Sequence, residues 1–451
     1  MRRCRGLALL VVLAVILAAC GAQAVDPTPS PSASSGAASV EPSASDRVGA
    51  VEPAPGSTSG VYQPNPGAIV VAIDAGHGGC LDWGVPDPSQ RGEAFAEKTM
   101  TLGIARALRD LLEAEGITVV MTRVGDEALA GDEYPDLDCN GPGWRDANGD
   151  GESGFDPEGA VRTRDELQAR LDVANLVGAD VLISIHINSP FDGGQTIEIA
   201  FSETFYTDET PWGPTATARL AELVQTGVVG ELAAIVGYER GDRGITAHNF
   251  YMVAPPLLGP TAERPDPRKQ PTRGAFMPAV LTEVGSITLR AEQDLLVTDD
   301  GQAAVADGLF DAVAEFIGER SLAARVELAE TARGRLPDPV AGSGPPFWAP
   351  VVDDESVAVR LTNTGTDPWP ALPQLVIGWA TSDDPYLPAP PDDLEPVDVE
   401  LPLLQPGESV VVTVPLEASS ASGRQVAWLT LEVDGQTMAN LGSPALQIAT
   451  E

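Results

Sequence analysis

The chain has 451 residues, enough for two or three domains, each with a core of its own. Its 66 acidic residues outweigh 27 basic ones, a net charge of −39 that excludes charge-driven binding to nucleic acid or anionic lipid. Lysine occurs only at Lys98 and Lys269, and histidine only at His77, His186 and His248.

Arg2, Arg3 and Arg5 precede "GLALLVVLAVILAAC", an apolar run too short for a comfortable membrane span. It ends in Leu17-Ala18-Ala19-Cys20, which resembles a bacterial lipobox. That resemblance implies removal of residues 1–19 as a lipoprotein signal peptide and lipidation of Cys20. The location implied is extracytoplasmic, lipid-anchored at the cell membrane. An ordinary signal peptide or a single-span anchor is the competing reading. Residues 20–66 are rich in Ser, Pro and Ala and read as a disordered tether. Cys80 and Cys139 then remain in an oxidising compartment, where a disulfide between them and two free buried thiols are both open.

Order begins near Ile69. "IVVAIDAGHGG" (69–79) reads as a strand buried on both faces that stops at Asp74 and at a histidine among glycines. Glycine removes side chains where the backbone turns tightly or something comes close. "AEKTMTLGIARALRDLLEAEG" places Ile104, Leu108, Leu111 and Leu112 at helical spacing and stops at Gly116. "ITVVMTR" reads as the next strand, and "RDELQARLDVANLVG" as a helix with Leu167, Leu171 and Ala174 on one face. "ADVLISIHINS" is another buried strand. After a long, Pro-interrupted stretch comes the strand "PAVLTEVGS". "GQAAVADGLFDAVAEFIGER" closes the unit as a helix using Val305, Leu309, Val313 and Phe316. The alternation predicts an α/β domain over 67–322 with a largely parallel sheet covered by helices. Residues 323–347 read as a linker. Residues 348–451 lack a helical period and carry short β-like runs between Pro and Gly, which predicts an all-β sandwich.

Three apolar strands end in a polar group: His77, His186 and Glu283. Ligands of open α/β sheets sit beyond the carboxyl ends of the strands, so these three converge although distant in sequence. Glu97 opens a helix at the same rim. Two imidazoles and a carboxylate are a zinc set, and three protein ligands with one open position is the catalytic form. Such chemistry needs a second, uncoordinated carboxylate to move the proton of the attacking water.

"IVVAIDAGHGG", "AEKTMTLGIARAL", "VMTR", "RLDVANLVGADVLISIHINS" and "PAVLTEVGS" resemble, in order and spacing, the zinc-dependent N-acetylmuramoyl-L-alanine amidases of the amidase-3 family. The resemblance covers about 69–320. It implies that His77, Glu97 and His186 bind zinc and that Glu283 is catalytic. The substrate implied is peptidoglycan, cleaved between the lactyl group of N-acetylmuramic acid and L-alanine of the stem peptide. The glycines around His77 would then clear the backbone for metal and polymer. Asp74 either orients His77 or caps the turn. Asn188, just past His186, is a candidate substrate contact. Arg123 and Arg170 recur in the family blocks, and a structural ion-pair role competes for both. His248 is not expected to bind metal. Gly285-Ser286-Ile287-Thr288 departs from the family, which usually continues Gly-Phe and then has an asparagine a little further on. The stretches 124–162 and 202–276 exceed a minimal catalytic domain and read as insertions at the groove rim, one of which could require an activator to open it.

The first of these stretches holds "DANGDGESGFD", with Asp146, Asn148, Asp150 and Glu152 at calcium-loop positions. The twelfth position is Pro157, so a structural calcium site and an acidic surface loop both stand. "LTNTGTDPWPALPQL" and the runs after it resemble an Ig-like domain related to the central domain of an autophagy receptor, also found in bacteria. In it Asn363, Thr364, Gly365 and Trp369 look structural, and Trp379 and Trp428 read as packing rather than a sugar platform. The module would bind wall polymer or protein, or act as a spacer. For the whole chain the competing function is a non-catalytic, wall-binding or regulatory amidase-like surface lipoprotein. A third reading, an adhesion protein, leaves the four placed residues unexplained.

Overall fold

The computed structural model describes residues 68–79, 82–85, 87–130, 164–192, 194–258, 271, 273–329, 355–370, 373–382, 387–416 and 424–450. Cys20, Cys80, Cys139, the 146–156 loop, the signal, the tether and most of the expected linker lie outside them. Among the described residues no helix is long and apolar enough to cross a membrane.

The first unit runs β1 (Val70–Ala75), α1 (Glu97–Ala114), β2 (Thr118–Met121), α2 (Arg164–Leu176), β3 (Val181–Asn188), the small hairpin β4 (Phe191–Asp192) and β5 (Gln195–Thr196), β6 (Phe201–Tyr206), α3 (Pro214–Ile235), β7 (Gly241–Ala247), β8 (Ala279–Ser286), α4 (Arg290–Leu296) and α5 (Asp299–Glu319). Six strands form one sheet in the order β2-β1-β3-β8-β6-β7. Every pairing is parallel except β8 with β6. The expected α/β architecture is therefore present, with one antiparallel step.

Strand alternation sends Val71, Ile73, Ile183 and Ile185 to one face, where α1, α3 and α5 cover them. Met100, Ile104, Leu108 and Leu112 of α1 and Val305, Leu309, Val313 and Phe316 of α5 are buried there, as their spacing predicts; Leu111 is half-buried. Val70, Ala72 and Leu182 face the other way, against Leu171 and Ala174 of α2 and the turn Tyr251–Val253. Helices α3 and α5 cross at Gly227 and Gly308, where a Cβ on either glycine would strike the other's carbonyl.

Two expectations need correction. The stretch 202–276 is not peripheral: it supplies most of β6, all of β7 and helix α3. These strands lack a buried apolar run, because β6 buries Ser202 and Thr204 and the edge strand β7 is polar and exposed. The segment 323–347 is not wholly linker, since β9 (Ala324–Leu328) lies within it and pairs antiparallel with β10 (Ser356–Asn363).

The second unit continues with β11 (Gln374–Ser382), β12 (Glu395–Pro396), β13 (Ser409–Pro415), β14 (Arg424–Val433), β15 (Gln436–Thr437) and β16 (Leu446–Thr450). One sheet is β13-β10-β9; the other is β12-β11-β14-β15, with β16 also on β14. Their pairings are antiparallel. Val357, Val359 and Leu361 of β10 meet Ala427, Leu429 and Leu431 of β14 and the buried Trp369 in a common core. Asn363 Oδ1 accepts from Gly365 N–H at 2.9 Å, shaping the turn before Trp369. Trp379 packs half-buried against this core. Trp428 points from the opposite face of β14 and packs with Val426 against Trp212 and Phe276 of the first unit.

Candidate metal centre

Strands β1, β3 and β8 lie side by side and parallel, so their carboxyl ends form one rim. His77 follows β1 by two residues, His186 lies near the end of β3, and Glu283 of β8 is in register with His186. Glu97 is the first residue of α1 and is buried.

His77 adopts φ 62°, a left-handed conformation uncommon outside glycine. Three bonds hold it there. Arg170 Nη2 donates to the His77 carbonyl at 2.6 Å, Gly78 N–H donates to the Asp82 carbonyl at 2.8 Å, and His77 Nδ1–H donates to Asp82 Oδ1 at 2.7 Å. The last bond fixes the ring and leaves Nε2 facing Glu97, the outer-shell arrangement that orients metal-binding histidines. Glu97 is fixed as firmly: Oε1 accepts from Ile187 N–H and Oε2 from Val85 N–H, both at 2.9 Å.

Three ligand atoms therefore meet. His77 Nε2 lies 3.2 Å from Glu97 Oε1, His186 Nδ1 lies 3.3 Å from the same oxygen, and the two ring nitrogens are 3.1 Å apart. A tetrahedral ion with bonds of about 2.0–2.1 Å holds its ligands about 3.3 Å apart. The donor set and its spacing fit such an ion.

The neighbouring glycines make room for these rings rather than for a polymer. A Cβ at Gly76 would lie 2.6 Å from His186 Cε1, and one at Gly84 would lie 2.5 Å from His77 Cδ2. The space beside Gly78 is filled by the side chain of Arg123.

Burial alone would depress the His77 pKa, but the carboxylates of Asp82 and Glu97 overcome it and hold the imidazole well above 6.5. Glu97 is opposite: burial would raise it, and the two imidazoles hold it low. Glu283 is raised well above the usual carboxylate value by burial, then by the charges of Glu97 and Glu203, with His77 opposing. Its Oε2 is buried with no hydrogen-bond partner among the described residues. Glu203 stands directly opposite it across β6 and β8, bound by Thr246 Oγ1–H at 3.0 Å.

Asp74 neither touches His77 nor caps the turn. Its carboxylate accepts from Arg170 Nη1 at 2.9 Å, Thr122 Oγ1–H at 2.6 Å and Ser184 Oγ–H at 2.7 Å. Arg170 thus sits in ion pairs with Asp74 and Glu166 while gripping the carbonyls of Ala75 and His77. Arg123 instead donates to the carbonyls of Ala75, Gly76, Lys98 and Gly125. Asn188 follows an irregularity in the β3–β8 register, and its carbonyl accepts from Ile287 N–H at 2.9 Å. His248 is exposed, packed edge-on against Phe250, and is not in the ligand group.

Asp82 is one residue of this site that pattern reading passes over; a carboxylate five residues past His77 in a Gly-containing loop is the signal that points to it. Lys98 is a second: buried beside Glu97, it donates to the Gly79 carbonyl at 3.0 Å and to Asp126 at 2.7 Å, closing the loop that carries Asp82.

The chain is 28% identical over 242 residues to the sporulation-specific N-acetylmuramoyl-L-alanine amidase of Bacillus subtilis, a match covering 53% of this chain and 65% of that protein. It is 30% identical over 120 residues to the germination-specific N-acetylmuramoyl-L-alanine amidase of the same organism, covering 27% and 39%. The chain thus spans less than two thirds of either relative. Among solved structures, the catalytic domain of CwlV, an amidase from Bacillus (Paenibacillus) polymyxa, matches at 25% identity over 55% of this chain and 97% of that one, with a TM-score of 0.36. Residues 71–315, more than half the sequence, match the amidase-3 family, described as N-acetylmuramoyl-L-alanine amidase. The chain belongs to that family.

Proposed function

We propose that this protein is a zinc-dependent peptidoglycan hydrolase that cleaves the amide between the lactyl group of N-acetylmuramic acid and L-alanine of the stem peptide. The observation that carries the reading is the meeting of His77 Nε2, Glu97 Oε1 and His186 Nδ1 beside Glu283 of the adjacent strand, whose buried Oε2 has no hydrogen-bond partner among the described residues. The names of the relatives point the same way. His77, Glu97 and His186 would hold the ion. Zinc there would activate a water and polarise the scissile carbonyl.

The chain's own part is positioning and proton transfer. Asp82 fixes His77, and two backbone donors fix Glu97, so the ligands are arranged before metal arrives. Glu283 takes the proton of the attacking water and passes it to the departing amine. A carboxyl with a raised pKa suits both halves of that transfer near neutral pH. Asn188, at the same rim, is proposed as a substrate contact.

Purified protein is expected to carry about one zinc per chain. Incubation with peptidoglycan, read by mass spectrometry, should release stem peptides with a free L-alanine amino terminus. Metal-loaded protein that leaves intact and fragmented wall uncut, with and without envelope extract as a source of activator, would support the non-catalytic wall-binding reading instead.

Around this activity we also propose a lipid anchor at Cys20, a Cys80–Cys139 disulfide and a calcium site at Asp146, Asn148, Asp150 and Glu152, on the sequence arguments above. The all-β unit is read as Ig-like, a spacer or a binder of wall polymer or protein. Its two antiparallel sheets around a common core are consistent with that reading.

A further inference from the structure

We propose that Arg240 and Glu292, which the catalytic reading does not use, are positioning residues for Glu283. This inference rests on the amidase reading. Glu283 lacks side-chain support, with no hydrogen bond to its buried Oε2 among the described residues. Its carboxyl is therefore placed by its backbone. Glu283 itself is paired on both sides, but the segment that follows it is held less closely by the sheet. Pairing of β8 with β6 ends at Glu283, and the register of β8 with β3 slips after His186.

Side chains add to the hold where pairing with β6 ends and the register with β3 is irregular. Arg240 Nη2 donates to the carbonyl of Val284 at 3.0 Å and to Ser202 Oγ at 2.9 Å, and Ser202 Oγ–H donates to the same carbonyl at 2.8 Å. Glu292 Oε2 accepts from Ser286 N–H at 3.0 Å. Its Oε1 lies 3.1 Å from Arg240 Nη1 and accepts from Tyr238 O–H at 2.9 Å. The two peptide units flanking Gly285 are thus gripped from both sides by one ion pair. Gly285 permits the grip, because a Cβ there would lie 2.7 Å from Glu292 Oε2. Glu292 is 0% exposed and the Arg240 side chain 5%. A buried pair gains little stability over packed apolar residues of similar size, so a role in placement accounts for the pair better than stability does.

The test uses the full, zinc-loaded chain and two variants. Arg240→Lys keeps the charge opposite Glu292, but a single ammonium replaces the fork that spans three partners. The double variant Arg240→Met, Glu292→Leu removes both charges together and leaves neither buried unpaired. Both should bind one zinc per chain and lower kcat on peptidoglycan about 10- to 100-fold with KM within about twofold, as a misplaced catalytic group does. Amide hydrogen exchange over 284–286 should quicken in both. Unchanged kcat in either folded variant, or a lower melting temperature with kcat intact, would overturn the proposal. If the wild-type chain cuts no wall, the amidase reading fails, and exchange over 284–286 still decides whether the pair holds this segment: unchanged exchange overturns it.

Discussion

The two ends of the central strands serve opposite purposes. At the carboxyl ends of β1, β3 and β8 stand His77, His186 and Glu283, the imidazoles gathered around Glu97 and the Glu283 Oε2 without a hydrogen-bond partner among the described residues. At the amino ends the same sheet is sealed. Asp180, just before β3, accepts from Val70 N–H at 2.8 Å and pairs with Arg325 of β9, which also donates to the Ala68 carbonyl at 2.7 Å. The all-β unit thus pins the roots of the two strands whose tips carry the histidines. Apolar packing of Trp212 against Trp428, ring centroids 5.7 Å apart, extends the same contact between the units. One end of the sheet supplies stability and leaves the other free to hold a strained His77 and a Glu283 carboxyl without a hydrogen-bond partner among the described residues.

The largest effect is expected at the carboxyl rim. Glu283→Gln should lower amide hydrolysis at least about 100-fold while zinc content and melting temperature hold, checked by metal analysis, calorimetry and wall digestion. At the amino end, Arg325→Met leaves Asp180 buried without its cation and should destabilise the chain by about 3–5 kcal/mol in denaturant titrations, with kcat of the folded enzyme nearly unchanged. A loss of kcat matching that of Glu283→Gln would show that the two ends are not separable. Asp82→Asn should weaken zinc about 10- to 100-fold in chelator competition without altering the fold.

Two pH dependences sharpen the picture. The His77 pKa is raised above 6.5, and its proton must leave for metal to bind, so zinc affinity should fall as pH drops, beginning above 6.5. Asp74 is the smallest effect. Burial would raise its pKa, but Arg170, Thr122 and Ser184 bring it from 3.8 to about 2. A lowered folded value means that its stabilisation, about 2 kcal/mol, is present above pH 3.8 and lost as pH falls through about 2. Unfolding midpoints measured against pH should show this step, and Asp74→Asn should flatten it.

The sequence carried the strands that end in chemistry because long apolar runs stopping at His, His and Glu are a local signal. It did not carry β6 and β7, because one strand buries Ser202 and Thr204 beside a single apolar residue, Phe201, and the other buries almost nothing. Nor did it show β9, five residues that acquire their meaning only from pairing with β10 across a long chain gap. The proposed ligands His77, Glu97 and His186, which the fold brings together, were legible as a set. Asp82, Arg240 and Glu292 were not, because each acts through a contact that no spacing along the chain encodes. The glycines show the same limit: their positions suggested close approach, but only the fold reveals that imidazoles and Arg123 are what approach.

The junction between the units has a practical meaning for engineering. Only residues 320–323 separate α5 from β9, and Arg320 there already reaches Ser443 Oγ at 2.9 Å. Module exchange at this point would cut away Arg325 and expose Trp212. A graft of the α/β unit onto another carrier must therefore bring its own cover for Asp180 and the tryptophan, or keep the all-β unit as part of the insert.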